Sequence, residues 1–388
     1  MQTSSPRFAV FALGFRPFYL LAAALAALAV PLWIAEYAGY LGGAGYLSGS
    51  LWHAHEMLFG FASAVIVGFL FTAVRNWTNR PTPTRTPLAL LAVLWLAGRV
   101  LLPIGPGWLA AAVDVAFLPF AALGIAIPLA KSGNRRNYFF VGLLLLIAAA
   151  NLVFHLGRLG VLPDVGREAL HAALYVVIFI IAVMAGRVVP MFTANAIPGA
   201  RVWRNATLDR AALAGLAVAL AAAVVRPDSP VTALLCALAA VLHVLRARGW
   251  VPFSTGGTPI LWILHLSYAW IPLGLLLHAA AALTPAVPAT AALHAFAVGA
   301  AGGMIIGMIT RTARGHTGLP LQAGAAETAA YALVHAAAVV RVFGIVLLPS
   351  HYLATLAVAA ALWSAAFLAY LGVYVPILVR PRPDGRPG

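Results

Sequence analysis

Trp52-His53-Ala54-His55-Glu56-Met57 is the densest set of donor side chains in this 388-residue sequence. Two imidazoles and a carboxylate so close together suit metal or haem ligation. Neutral imidazole is the commonest metal ligand, and a neighbouring carboxylate can orient it. Glu56 could instead accept or deliver protons. On a regular α-helix His53, Glu56 and Met57 share one side, at spacings of three and four, while His55 is rotated about 200° from His53. The two imidazoles are therefore expected to serve different sites unless the segment unwinds. An interfacial Trp-His cap is the plainer alternative.

Other histidines extend the set. His171 and Tyr175 lie one helical turn apart and could act together. His294 leads a stretch with Gly299, Gly302, Gly303 and Gly307, small residues that allow close helix packing or leave room for a flat macrocycle. His265 and His278 are separated by roughly 20 Å along one helix and cannot share an ion. His265 and His335 could bridge a second site, or each could be a hydrogen-bonded structural histidine. His243 and His316 are assigned no chemistry. The candidate metal ligands are thus His53, His55, His155, His171, His265, His278, His294 and His335. The cofactor-binding candidates are His53, His55, His171, His294, Arg99 and Arg341, and the catalytic candidates are Glu56, Asp114 and Tyr175.

The elements that position these residues follow from composition. The chain is 63% hydrophobic and 9% charged, with a mean hydropathy of +0.97. A water-soluble surface needs roughly 25% charged residues, so the bilayer is the expected solvent. Breaks at Pro, Gly and Arg clusters leave apolar runs long enough to span, predicted at 15–37, 51–74, 87–104, 107–130, 138–160, 168–190, 208–225, 230–248, 259–282, 288–310, 326–348 and 352–378. The first run resembles a signal peptide but is long, ends in Glu36-Tyr37 and lacks a small-residue cleavage pattern, so it is read as a retained span. The fold class is an all-α integral membrane protein of about twelve helices, with residues 1–388 as one polytopic domain and 378–388 as a tail.

The net charge of +15 rests almost wholly on arginine, with Lys131 the only lysine. With the N-terminus placed in the cytoplasm, 18 of the 24 basic residues, from Arg7 to Arg386, fall on the cytoplasmic side. Topology, and not nucleic acid, accounts for the charge, and both termini are expected in the cytoplasm. This arrangement puts His53, His55, His155, His171, His278 and His294 near the outer face. Glu36, Glu56, Arg99, Asp114, Asn151, Arg158 and Arg341 share that half. Charges at membrane depth normally face the protein interior with a partner, so their number implies a polar or ligand-filled cavity; interfacial snorkelling is the alternative. Spans two, six and ten each open on a histidine and close on a threonine-containing or basic segment, which suggests three four-helix units. The single cysteine, Cys236, excludes an intrachain disulfide, a multi-thiolate metal site and a c-type haem attachment. A phosphate-binding Gly-rich loop, an HExxH and a nucleophile–base pair are missing from the sequence, which disfavours ATPase, protease and acyl-transfer chemistry.

Gly14-Phe15-Arg16-Pro17-Phe18, the run Trp52 to Gly60, Gly68-Phe69-Leu70-Phe71-Thr72-Ala73-Val74, Asn76-Trp77-Thr78, Asn151-Leu152-Val153-Phe154-His155 and Gly186-Arg187-Val188-Val189-Pro190 resemble the NnrS family across nearly the whole chain. Arg75 stands where that pattern has proline. The resemblance implies a bacterial inner-membrane protein with haem b, held non-covalently, and copper, connected with nitric oxide and denitrification. Histidines on spans two, six and ten also suggest the ligand helices of haem–copper oxidases, although the paired histidines of the oxidase copper cluster are missing from span seven. The leading expectation is a nitric oxide-binding oxidoreductase of reductase type, whose partners are nitric oxide or another small gas, the lipid bilayer and a separate electron donor. Rival expectations are a proton-coupled transporter, a copper-delivery protein and a non-catalytic haem-based sensor.

Overall fold

The computed structural model describes residues 8–43 and 45–384, so Arg7 and Arg386 and the end of the predicted tail lie outside the described residues. Within them the chain forms twelve helices long and apolar enough to cross a membrane. They are α1 Phe15–Tyr37, α2 Gly49–Thr78, α3 Arg85–Ile104, α4 Gly107–Ser132, α5 Arg135–Arg158, α6 Gly166–Ala196, α7 Ala206–Val225, α8 Pro230–Arg248, α9 Pro259–Leu283, α10 Ala289–Thr317, α11 Ala325–Leu347 and α12 Pro349–Val379. Each corresponds to one of the twelve expected spans. The protein is a multi-pass membrane protein.

Local chemistry sets the ends of these helices. The Glu36 carboxylate accepts from the backbone N–H of Gly49 at 2.9 Å, placing negative charge at the start of α2. Asn79 closes the same helix in a left-handed conformation. Asn205 caps α7 by accepting from the N–H groups of Thr207 and Leu208. Ser229 followed by Pro230 opens α8.

The chain divides into two compact units. Unit 1 comprises residues 1–173, 311–321 and 367–388; unit 2 comprises 174–310 and 322–366. Within unit 1, α2 packs against α1 and α4, and α4 packs against α3 and α5. Within unit 2, α9 packs on α8 and α10, and α10 also meets α11. The three histidine-led helices are the most enclosed: 83% of the apolar window of α2 is buried, and 72% of those of α6 and α10, against 28% for α3 and α7. The outward faces of α3 and α7 are mostly Leu, Val and Ala.

Two of the enclosed helices are not regular. Glu56–Ala62 in α2 and Ala295–Gly302 in α10 are π-helical, and each begins directly after a histidine. A π-turn widens the helix and frees carbonyl oxygens from the usual ladder, a feature frequent at functional sites. In α2 two of its carbonyls also accept from side chains: Ser63 donates to the Leu58 carbonyl at 2.9 Å, and the Trp95 indole donates to the Gly60 carbonyl at 3.1 Å.

Candidate metal centre

Helices α2 and α4 begin, and α3 and α5 end, on one side of unit 1. His55, Arg99, Asp114 and Asn151 each lie roughly 8–10 Å inside that end of their helices, and His155 about 5 Å inside. Four helices thus deliver polar side chains to one depth, which is the clustering expected from sequence. His55, Glu56, Asp114, Asn151 and His155 are all buried.

Asp114 is the hub. Its Oδ1 meets the Arg99 guanidinium in a close ion pair. Its Oδ2 accepts from Asn151 Nδ2 at 2.6 Å and lies 3.2 Å from both His55 Nε2 and His155 Nε2. The opposite ring nitrogens are also held. His55 Nδ1 lies 3.4 Å from Glu56 Oε1, and His155 Nδ1 lies 3.0 Å from the Tyr46 hydroxyl. That hydroxyl also reaches the His155 carbonyl at 3.4 Å, so it can donate there while accepting from His155 Nδ1–H, leaving Nε2 as the lone-pair nitrogen. Glu56 closes the ring of charges by lying 3.1 Å from Arg99 Nε.

The Glu56 carboxylate, on the first residue of the π-segment, reaches His55 and Arg99, while His53 stacks on the Trp33 indole with centroids 4.2 Å apart. His53 and His55 therefore do serve different places. Gly60 leaves the space: a Cβ there would come within 2.8 Å of Arg99 Nη1 and 3.1 Å of Glu56 Oε2.

Two Nε2 atoms and one carboxylate oxygen converge within 4.8 Å of one another. Donor atoms about 2.0–2.1 Å from a tetrahedral ion are about 3.3 Å apart, close to the two 3.2 Å spacings seen here. Charge counting agrees. Arg99 supplies one positive charge against the carboxylates of Glu56 and Asp114. Both ring nitrogens of His55 face oxygen acceptors, Glu56 Oε1 on one side and Asn151 Oδ1 at 3.1 Å with Asp114 Oδ2 on the other. A neutral imidazole would aim a lone pair at one of them. One further positive charge satisfies both counts: a proton on His55, or a metal ion at its Nε2. The donor set, two imidazoles and a carboxylate held by a second layer of Glu56, Tyr46 and Asn151, fits a first-row transition metal.

The remaining candidates sit elsewhere. In unit 2 His265 Nε2 donates to Thr193 Oγ1 at 2.9 Å, and His335 Nδ1 accepts from the Trp270 indole at 3.1 Å. Each is held singly, as hydrogen-bonded structural histidines are. The glycine face of α10 is filled by protein: side chains added at Gly299, Gly302 and Gly303 would run into Trp270, Trp363 and Ser267. Close packing, and not a macrocycle, explains those glycines. His294 donates from Nδ1 to the Thr290 carbonyl at 2.7 Å, which leaves Nε2 as its lone-pair nitrogen. His278 and Tyr175 meet edge to face at 6.4 Å. His171 lies in α6, and Arg341 is buried in a π-segment of α11. Tyr46 escaped notice in the sequence because it lies in the α1–α2 connector, away from any motif. His243 is fully buried, bonded to the Tyr268 hydroxyl at 2.6 Å and the Ala212 carbonyl at 3.1 Å.

The family profile described as NnrS protein matches residues 9–382. The chain belongs to the NnrS family. No curated protein matches it. Every residue of the His55–Asp114–His155 cluster lies within the matched NnrS region.

Proposed function

We propose that this NnrS-family chain holds a copper ion on His55 Nε2, Asp114 and His155 Nε2, and that nitric oxide binds at that centre and is reduced or otherwise detoxified there, with electrons delivered by a separate donor protein and protons taken up from the aqueous side. The convergence of two imidazole Nε2 atoms on one carboxylate, with both Nδ1 atoms anchored from behind, carries the reading. A copper ion would supply a redox-active centre with a vacant position for a diatomic ligand. Apolar walls suit the substrate, since nitric oxide partitions into lipid and Phe59 and Phe154 pack on the His55 ring.

The chain's own groups do the rest. Arg99 offsets one of the two carboxylate charges and fixes Asp114 Oδ1, leaving Oδ2 for the ion. Glu56 orients His55 and can hold a proton at Oε1 or Oε2. Tyr46 links His155 to the connector, where protons can be exchanged. The ion needs unprotonated imidazole nitrogens, so copper affinity falls in acid. For haem b, His294 is the best-prepared ligand, because its Nδ1 is already tied to a backbone carbonyl. The membrane is proposed to be the bacterial inner membrane, with α2 beginning at its outer face.

Metal analysis and optical and paramagnetic spectra of purified protein, with and without nitric oxide, test the proposal. His55→Ala, His155→Ala and Asp114→Asn should each lose copper and the nitric oxide-dependent copper signal. Wild-type copper in all three would overturn the copper site. Absence of any Soret band would remove the haem. Copper with nitric oxide binding but without turnover would leave a sensor.

A further inference from the structure

At the edge of unit 2, the connector from α6 to α7 crosses the connector from α8 to α9. The Trp203 N–H donates to the Gly249 carbonyl at 2.7 Å and ties them together. Both connectors follow an even-numbered span, so alternation places them at the same membrane face. Between them lies a groove of about 410 Å³. Trp203, Leu208 and Leu245 form apolar walls, and Arg201 and Arg248 stand at the groove.

The groove is built at a local cost. A side chain at Gly249 would collide with the Trp203 carbonyl and ring, so only glycine admits this crossing. Val251, which also lines the groove, is held at φ 51°, in the left-handed region that a β-branched residue rarely occupies. Phe253, two residues on, is fully exposed.

The charges are unequal. Arg204 and Arg246 share Asp209, at 3.3 and 2.7 Å. The guanidiniums of Arg201 and Arg248 have neither an ion-pair nor a hydrogen-bond partner among the described residues. Two uncompensated guanidiniums beside an apolar groove, with a bare phenyl ring next to them, match an amphiphile with an anionic head. Inorganic phosphate alone would leave the apolar walls without a partner.

We propose that this groove binds the phosphate headgroup of an anionic phospholipid of the phosphatidylglycerol class. Arg201 and Arg248 hold the phosphate. Trp203, Leu208 and Leu245 pack against the glycerol and first methylenes, and Phe253 anchors the segment among the acyl chains. The leaflet facing the basic connectors is the anionic one under the positive-inside arrangement.

The test places the full chain in phosphatidylcholine nanodiscs carrying acyl-brominated phosphatidylglycerol, or brominated phosphatidylcholine at the same fraction. Quenching of Trp203 emission is read as the difference between wild type and Trp203→Phe. Phosphatidylglycerol should quench preferentially. Arg201→Gln and Arg248→Gln should each reduce that preference roughly fivefold, with thermal unfolding unchanged. Equal quenching by the two lipids, or an undiminished preference in the double variant, would overturn the site. Loss of the preference in excess inorganic phosphate would assign the groove to a free anion and overturn the lipid.

Discussion

Unit 1 and unit 2 both bury histidines among apolar helices, but they satisfy them differently. In unit 1 the rings of His55 and His155 lean on carboxylates, with Arg99 as counter-charge. In unit 2 the rings of His243, His265 and His335 lean on a phenol and a backbone carbonyl, a threonine hydroxyl and an indole. The buried cation near His243, Arg246, has its own carboxylate in Asp209 at 2.7 Å. Neutral bonds of this kind call for no further charge. A cluster with two carboxylates against one guanidinium is complete only when it gains a positive charge. The difference teaches that residue type alone does not mark a site; the charge count of the surroundings does.

The largest expected effect separates the units most sharply. Asp114→Ala breaks the closer of the two Arg99 ion pairs and removes the oxygen on which Asn151, His55 and His155 converge. Breaking a buried ion pair costs about 3–5 kcal/mol, which chemical unfolding in detergent would register. Asp114→Ala and His335→Phe should differ by several-fold in this measurement. Equal losses would erase the distinction between the units.

Glycine substitutions sharpen it. Gly60→Ala and Gly299→Ala both overpack a helix contact, at a cost of about 1–3 kcal/mol. Only Gly60→Ala should also deplete copper, since its added methyl presses on Arg99, Glu56 and Leu25. Copper loss from Gly299→Ala would shift the centre to unit 2.

Tyr46→Phe is gentler, removing one hydroxyl from behind His155. Loss of such a supporting bond weakens metal affinity about 10–100-fold, measurable by competition with a copper chelator. Burial pushes the Tyr46 hydroxyl up from 10.0 to about 12, against a smaller opposing effect of Arg158. A group whose pKa is raised on folding favours the folded state below its unfolded value and loses that contribution as pH climbs. Wild-type stability should therefore fall from pH 10 towards 12 more steeply than that of Tyr46→Phe. A matching decline in the variant would refute this role.

The smallest effect is in unit 2. Thr193→Val removes the acceptor of His265 and should cost about 1 kcal/mol with copper content unchanged.

The spans were legible because membrane burial is written in composition: apolar runs of spanning length, punctuated by Pro, Gly and Arg, gave all twelve helices. The cost of intramembrane charge likewise singled out Glu56, Arg99, Asp114 and Asn151 as neighbours in depth, since helix rise alone fixes depth. Azimuth and partnership were not legible. Spacing on an ideal helix groups Glu56 with His53, yet the carboxylate meets His55 and, on a different helix, Arg99. Tyr46 sits in a connector whose path no periodicity describes, yet it holds His155. The glycines of α10 read as packing first and as room for a ring second, and Trp270 and Trp363 fill the space. The sequence by itself determined how many helices cross and how deep each costly residue lies, because hydropathy and rise per residue are local properties. Which of those residues meet was decided only by the tertiary structure, because contacts between helices depend on rotation and local winding that neighbouring residues do not encode.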